Sequence, residues 1–225
     1  MKWFVLFFFF HVNLLFGAES VLLHIDFKGV ADTQDATQIL KEKGIGFEME
    51  KEKFSFSIKN EILYIETYEQ GVVVFGKILK KQEFLENPRK VVIEWGVERF
   101  PEGASWDEGI NRLPIGLIMV FGDKKLPSGI GFLAPKVPPF LCPFIGEKES
   151  LEKVYKGKLY KKGGRYYCVS NEKDRLIRTT FDIEKRYKEA FGTLPPPISA
   201  FAFQINTKNT HGGAKSFLKS VTFYK

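Results

Sequence analysis

Glu94 and Glu98 are the first pair of residues in this chain whose types and spacing suggest acid–base chemistry. Glycoside hydrolysis needs two carboxyl groups about 5 to 9.5 Å apart. Four strand residues at roughly 3.3 Å each separate these two by about 13 Å, too far for either hydrolytic geometry. Asp107 and Glu108 are adjacent in a polar loop and face divergent directions. His24 and Asp26 stand at i and i+2 on a strand-like segment, so their side chains share a face and can touch. That pair suits a base with its orienter, and equally a structural hydrogen bond. The chain has no G-x-S-x-G elbow, and Pro127-Ser128-Gly129 reads as a turn. Gly163-Gly164 and Gly212-Gly213 are turns too, without the strand-to-helix setting that a phosphate loop requires. Cys142, Cys168, His24 and His211 are too dispersed for metal-ligand spacing. No catalytic residue, metal or cofactor is therefore assigned.

Binding chemistry fits the residues better. Sugar rings present C–H faces that pack on flat aromatic surfaces, while amides and cations hydrogen-bond the hydroxyls. Trp106 lies in the polar loop 101–112, with Asn111 and Arg112 close by in sequence. Glu94 falls on the non-core face of its strand. Trp106, Asn111, Arg112 and Glu94 are the candidate ligand-binding residues. The alternative for Trp106 is that it plugs one end of the fold.

The elements that must position these residues are mostly strands. Val91, Ile93, Trp95 and Val97 alternate with Val92, Glu94, Gly96 and Glu98, which predicts a half-buried strand. Further strands are expected over 21–27, 54–58, 62–68, 72–79 and 113–121, with a turn at Lys59-Asn60-Glu61. Residues 124–149 carry Pro127, Pro135, Pro138, Pro139 and Pro143 and read as a long irregular excursion, although Phe140-Leu141-Cys142 has strand character. A hairpin is expected over 154–169, turning at Gly163-Gly164. One helix is well signalled: Asp182 caps it, Ile183, Tyr187, Ala190 and Phe191 share a face, and Gly192 ends it. A second, shorter helix fits 32–43. Two last strands, 198–205 and 217–224, flank the polar turn 206–213. Turn signals about every ten residues predict an all-β fold, a β-sandwich with one or two short helices. No repeat or linker divides residues 19–225, which are expected to form one domain.

The N-terminus bears on location. Met1-Lys2 precedes an apolar run of about fourteen residues ending at Gly17-Ala18, the pattern of a secretory signal peptide over 1–18. A spanning helix needs about twenty apolar residues. The alternative is an uncleaved anchor that keeps the protein at the membrane. Export implies a periplasmic or secreted protein. The hydrophobic fraction of 44% and the 23 phenylalanines are ample for a core, and few Cys and Met beside many Lys and Glu give a thermophile-like composition. The net charge of +7 concentrates around Lys153, Lys156, Lys158, Lys161, Lys162 and Arg165, interleaved with Tyr155, Tyr160, Tyr166 and Tyr167. Such a stretch suits an acidic partner or, equally, a solvated hairpin with half-buried tyrosines. Export argues against nucleic acid. Cys142 and Cys168 are an even pair, which permits a disulfide, while buried free thiols are equally ordinary.

Phe181-Asp182-Ile183-Glu184-Lys185-Arg186-Tyr187, then Pro196-Pro197-Ile198-Ser199 and Ile205-Asn206-Thr207-Lys208-Asn209-Thr210, resemble the end of bacterial domain-of-unknown-function family 3047. Glu94-Trp95-Gly96-Val97, Pro101-Glu102-Gly103-Ala104 and Tyr155-Lys156-Gly157-Lys158 resemble its earlier elements. The resemblance spans about 26–223 and implies an exported protein of unassigned biochemistry with a jelly-roll, galactose-binding-like β-sandwich. The chain departs from the family pattern at Asn111-Arg112, where many members carry paired acids, and at Asn206-Thr207-Lys208, where many carry Asp-Thr-Asp. Losing those carboxylates removes the negative charge that a hard cation needs.

The expected function is that of a non-catalytic envelope protein binding carbohydrate or another envelope component. A polysaccharide-acting enzyme with an unidentified site is the alternative, as is a structural module that contacts protein partners. A shallow aromatic-lined face distinguishes binding from a cleft of converging carboxylates or a flat apolar patch.

Overall fold

The computed structural model describes residues 19–126, 136–151, 153–158 and 160–225. In chain order its first elements are β1 (Val21–Asp26), α1 (Ala36–Glu42), β2 (Gly46–Met49), β3 (Ser55–Lys59), β4 (Ile62–Thr67) and β5 (Val72–Ile78). The middle strands are β6 (Lys90–Arg99), β7 (Leu113–Phe121), β8 (Phe140–Ile145), β9 (Val154–Tyr155) and β10 (Gly164–Ser170). The chain closes with β11 (Ile177–Asp182), α2 (Ile183–Phe191), β12 (Ile198–Asn206) and β13 (Ala214–Tyr224). The expected apolar N-terminal run and the Pro127-Ser128-Gly129 turn lie outside the described residues.

Two sheets form the β-sandwich that the alternation predicts. The first runs β11-β6-β13-β4-β3, with β1 added along the end of β13; the second runs β2-β5-β12-β7-β8-β10-β9. Pairing is antiparallel except between β8 and β10. Val91, Ile93, Trp95 and Val97 of β6 face Ile115, Leu117, Met119 and Phe121 of β7 and Phe201, Phe203 and Ile205 of β12 in one buried core. Burial of that much apolar surface, at about 25 cal/mol per Å2, is what holds the sheets face to face. Asp182 accepts from the Lys185 N–H at 2.8 Å and Gly192 adopts φ +78°, so α2 starts and ends where its caps predict. Helix α1 is shorter than expected: Asp35 caps it, while Asp32 instead accepts from the Asn60 N–H.

Three sequence expectations need correction. Residues 140–145 are a fully buried internal strand, not part of an irregular excursion. A proline there would ordinarily argue against a central strand. The β7–β8 ladder skips the positions opposite Cys142 and Pro143, so the missing N–H is accommodated locally. The hairpin over 154–169 pairs only at Tyr155–Tyr166 and Val154–Tyr167, because β10 finds its main partner in β8. The disulfide that the cysteine count permits is not formed: Cys142 and Cys168 are buried free thiols. Register pairs Cys142 with Tyr166 and Cys168 with Phe144. A two-residue offset on neighbouring strands separates the Cα atoms by about 8 Å, beyond the roughly 7 Å a bridge tolerates.

A second, smaller core lies on the outer side of the second sheet. Phe140, Cys142 and Phe144 of β8 and Tyr166 and Cys168 of β10 are covered there by Trp106 and Tyr155. That cover forms the wall of the candidate site. Among the described residues no helix is long and apolar enough to cross a membrane.

Candidate functional site

The loop between β6 and β7 is the structural basis of the site. It folds back on itself through paired hydrogen bonds between Ser105 and Ile110, with Gly109 at φ +78° making the turn. A second pair of bonds joins Glu102 to His211, tying this loop to the one between β12 and β13. The buried Glu149 carboxylate accepts from the Trp106 backbone N–H at 3.1 Å and from Lys148 at 3.2 Å. A loop held at three places needs little further ordering when a ligand arrives.

Trp106 is 6% exposed, so it is not the free-standing platform that its polar loop suggests. Its ring lies 5.0 Å from Phe144 and 4.6 Å from Tyr166, centroid to centroid. Its indole N–H donates to the Arg112 carbonyl at 3.0 Å. Trp106 is therefore chiefly the plug of the second core and shows only an edge to solvent. That edge borders a cleft of about 280 Å3 on the outer face of the second sheet.

Tyr160 and Tyr166 form the aromatic wall of the cleft beside Trp106, packed edge-on against Phe140 at 5.8 and 5.4 Å. Gly157 lies against the Tyr166 ring, where a Cβ would stand 3.1 Å from ring carbon. Asn111 and Arg112 come from the β6–β7 loop, and Gln204 and Asn206 from β12, whose alternate residues Phe203 and Ile205 point into the main core. Lys158 completes the rim, its side chain lying over Gly109.

The polar groups differ in how far the protein satisfies them. Arg112 donates from Nε to the Lys208 carbonyl and from Nη1 to the Asn111 carbonyl at 2.8 Å. Burial pushes its guanidinium down from the ordinary value. Asn206 accepts from the Lys208 N–H at 3.1 Å. Among the described residues, the side-chain amides of Asn111 and Gln204, the Lys158 ammonium and the Tyr160 and Tyr166 hydroxyls have no protein partner. Burial raises the Tyr166 phenol well above its usual range, so it is a neutral donor. Among the described residues no carboxylate lines the cleft.

The structure therefore brings together three of the four expected residues, Trp106, Asn111 and Arg112. Glu94 belongs elsewhere. It lies on the outer face of the first sheet, where Ser220 donates to it at 2.9 Å and Arg178 at 3.4 Å. Strand alternation gives a side chain's face but not which sheet it belongs to. Sequence reading missed Gln204 and Asn206 as site residues, and it noted Tyr160, Tyr166 and Lys158 only as members of the basic, tyrosine-rich stretch, not as neighbours of Trp106. Gln204 and Asn206 were signalled by their alternation with Phe203 and Ile205. The segments Asn111-Arg112 and Asn206-Thr207-Lys208 meet here, through the Arg112–Lys208 contact.

The other expected constellations stay apart from the cleft. His24 pairs through Nε2 with Asp26 at 3.0 Å and through Nδ1 with Thr222 at 2.7 Å, which fastens β1 to β13. The Asp26 carboxyl is held below its usual value chiefly by that histidine. Among the described residues no three His, Cys, Asp or Glu side chains gather around one point.

No protein-family model and no curated protein matches the sequence. Among solved structures, a family 29 carbohydrate-binding module from Piromyces equi is similar at 9% identity and TM-score 0.33, covering 80% of this chain and 81% of that one. A low-affinity xylan-binding module, CBM86, from Roseburia intestinalis is similar at 13% identity and TM-score 0.33, over 80% and 96%. The xyloglucanase domain of the effector NopAA from Sinorhizobium fredii is similar at 10% identity and TM-score 0.39, over 76% and 87%. At these scores the likeness says nothing of ligand or activity.

Proposed function

We propose that this protein is an exported, envelope-associated β-sandwich that binds a glycan, without transforming it, in the cleft beside Trp106. One observation carries the reading: the part-exposed Tyr160 ring and the edges of the buried Tyr166 and Trp106 adjoin the side-chain amides of Asn111 and Gln204, unpartnered among the described residues, in a single concave site. Aromatic faces take the C–H side of a sugar ring, and amides and phenols both donate to and accept from its hydroxyls. The cleft lining among the described residues is aromatic, amide and cationic, which suits holding a sugar more than the two-carboxylate hydrolysis of one. Export is inferred from the basic start and short apolar run at the N-terminus.

Thermal unfolding of the protein against a panel of oligosaccharides and soluble polysaccharides tests the reading. A ligand at a hundred times its dissociation constant adds about 2.7 kcal/mol, a rise of roughly 5–10 °C for a domain of this size. A rise with one glycan class that Gln204→Ala or Tyr160→Ala abolishes supports binding in the cleft. Product formation in the same mixtures contradicts the non-catalytic assignment. No rise with any glycan contradicts the reading as a whole.

A further inference from the structure

The charge balance of the cleft points to a more specific ligand, and this step rests on the glycan reading above. We infer that the glycan is acidic, with a carboxylate or sulfate seated against Arg112 and Lys158. Cations near the cleft fall into two groups. Lys208 is paired with Glu50 at 3.0 Å, and Lys153 is paired with Asp107. Arg112 and Lys158, the two that line the cleft, have no carboxylate partner among the described residues.

Arg112 is the more telling of the two. It is half-buried, and its Nε and Nη1 are fixed by the Lys208 and Asn111 carbonyls. Those bonds orient the guanidinium without neutralising it, and they leave Nη2 without an acceptor among the described residues. Partial burial of a cation is costly unless an opposite charge meets it. With Nε and Nη1 engaged, the fixed guanidinium presents the N–H groups of Nη2 to a carboxylate or sulfate oxygen. Lys158 is exposed, so it adds a mobile positive charge at the rim. The neutral donors Asn111, Gln204 and Tyr160 remain for the hydroxyls of the same ligand.

The test is a calorimetric titration with two matched probes: an oligogalacturonate, and the same oligosaccharide with its carboxylates reduced to alcohols. A dextran sulfate and dextran pair separates sulfate from carboxylate recognition. Polyglutamate reports adsorption driven only by the protein's net charge of +7. The acidic member of at least one pair is expected to bind about tenfold or more tighter than its neutral counterpart. Both Arg112→Gln and Lys158→Gln are expected to narrow that ratio, while Lys173→Gln, an equal loss of charge at an exposed distant site, leaves it unchanged. Lys158→Gln alters no hydrogen bond within the protein, so its result does not depend on folding.

Equal binding of acidic and neutral members overturns the inference and leaves the glycan reading standing. Polyglutamate binding as tightly as the acidic glycan, or Lys173→Gln acting like Lys158→Gln, also overturns it. Binding by no glycan of either kind overturns the glycan reading itself.

Discussion

The indole N–H of Trp106 donates to the backbone carbonyl of Arg112 at 3.0 Å, so the plug of the second core and the cation of the cleft are held by one bond. Structure and binding are thus joined in a single loop. Substitutions in it separate into those that loosen the core and those that only alter the cleft.

Trp106→Ala is expected to lower stability by about 3–5 kcal/mol, because it removes a buried ring stacked on Phe144 and tilted against Tyr166. Gln204→Ala is expected to stay within about 0.5 kcal/mol of the parent. Denaturant unfolding of both variants checks the contrast. A mild Trp106→Ala would mean that the ring is a surface platform after all.

Glu149→Ala is expected to destabilise by about 1–3 kcal/mol, since the buried Trp106 N–H loses its acceptor. The loss should appear locally as faster hydrogen exchange at Trp106 and Lys148. Unchanged exchange there would show that Glu149 does not hold the loop.

Cys142 and Cys168 are expected to resist thiol reagents in the folded protein at pH 8, and to react in full once it is unfolded. Burial raises both thiols, Cys168 to about 11, so little thiolate exists near neutrality. Reductant should leave the melting temperature unchanged. A fall on reduction would reveal a disulfide.

Glu50, the partner of Lys208, carries a pH dependence on the acid side. Hydrogen bonds from Lys53 first and then Lys208 lower its carboxyl from 4.5 to about 2. A depressed carboxylate contributes stability above its unfolded value, and that contribution is lost as pH falls from about 4.5 towards 2. Glu50→Gln is expected to flatten the acid side of a melting-temperature profile over that window. An identical profile would show that the pairs with Lys53 and Lys208 contribute nothing measurable.

Much of the fold was legible because one face of most strands is buried. The alternation in β6 and β12 identifies the core residues, and Asp182 and Gly192 mark the ends of α2 before any contact is known. Strand β8 was obscured by Pro143, whose lost N–H becomes tolerable only once the gap in the β7 ladder is seen. The cleft was half legible. Asn111 and Arg112 were found through their proximity to Trp106 in sequence. Tyr160 and Tyr166 were seen only as part of a basic hairpin, because their place beside Trp106 depends on β10 running parallel to β8 and pairing with β9 at only two positions. Glu94 was misplaced because its polar face belongs to the other sheet.

The most direct test of the central claim is an NMR titration of the isotopically labelled protein with the glycan that raises its melting temperature most. The account predicts that the side-chain amide signals of Asn111 and Gln204 and the indole signal of Trp106 shift together and saturate at one dissociation constant. Shifts confined to the outer face of the first sheet, around Tyr64 and Phe217, would contradict it.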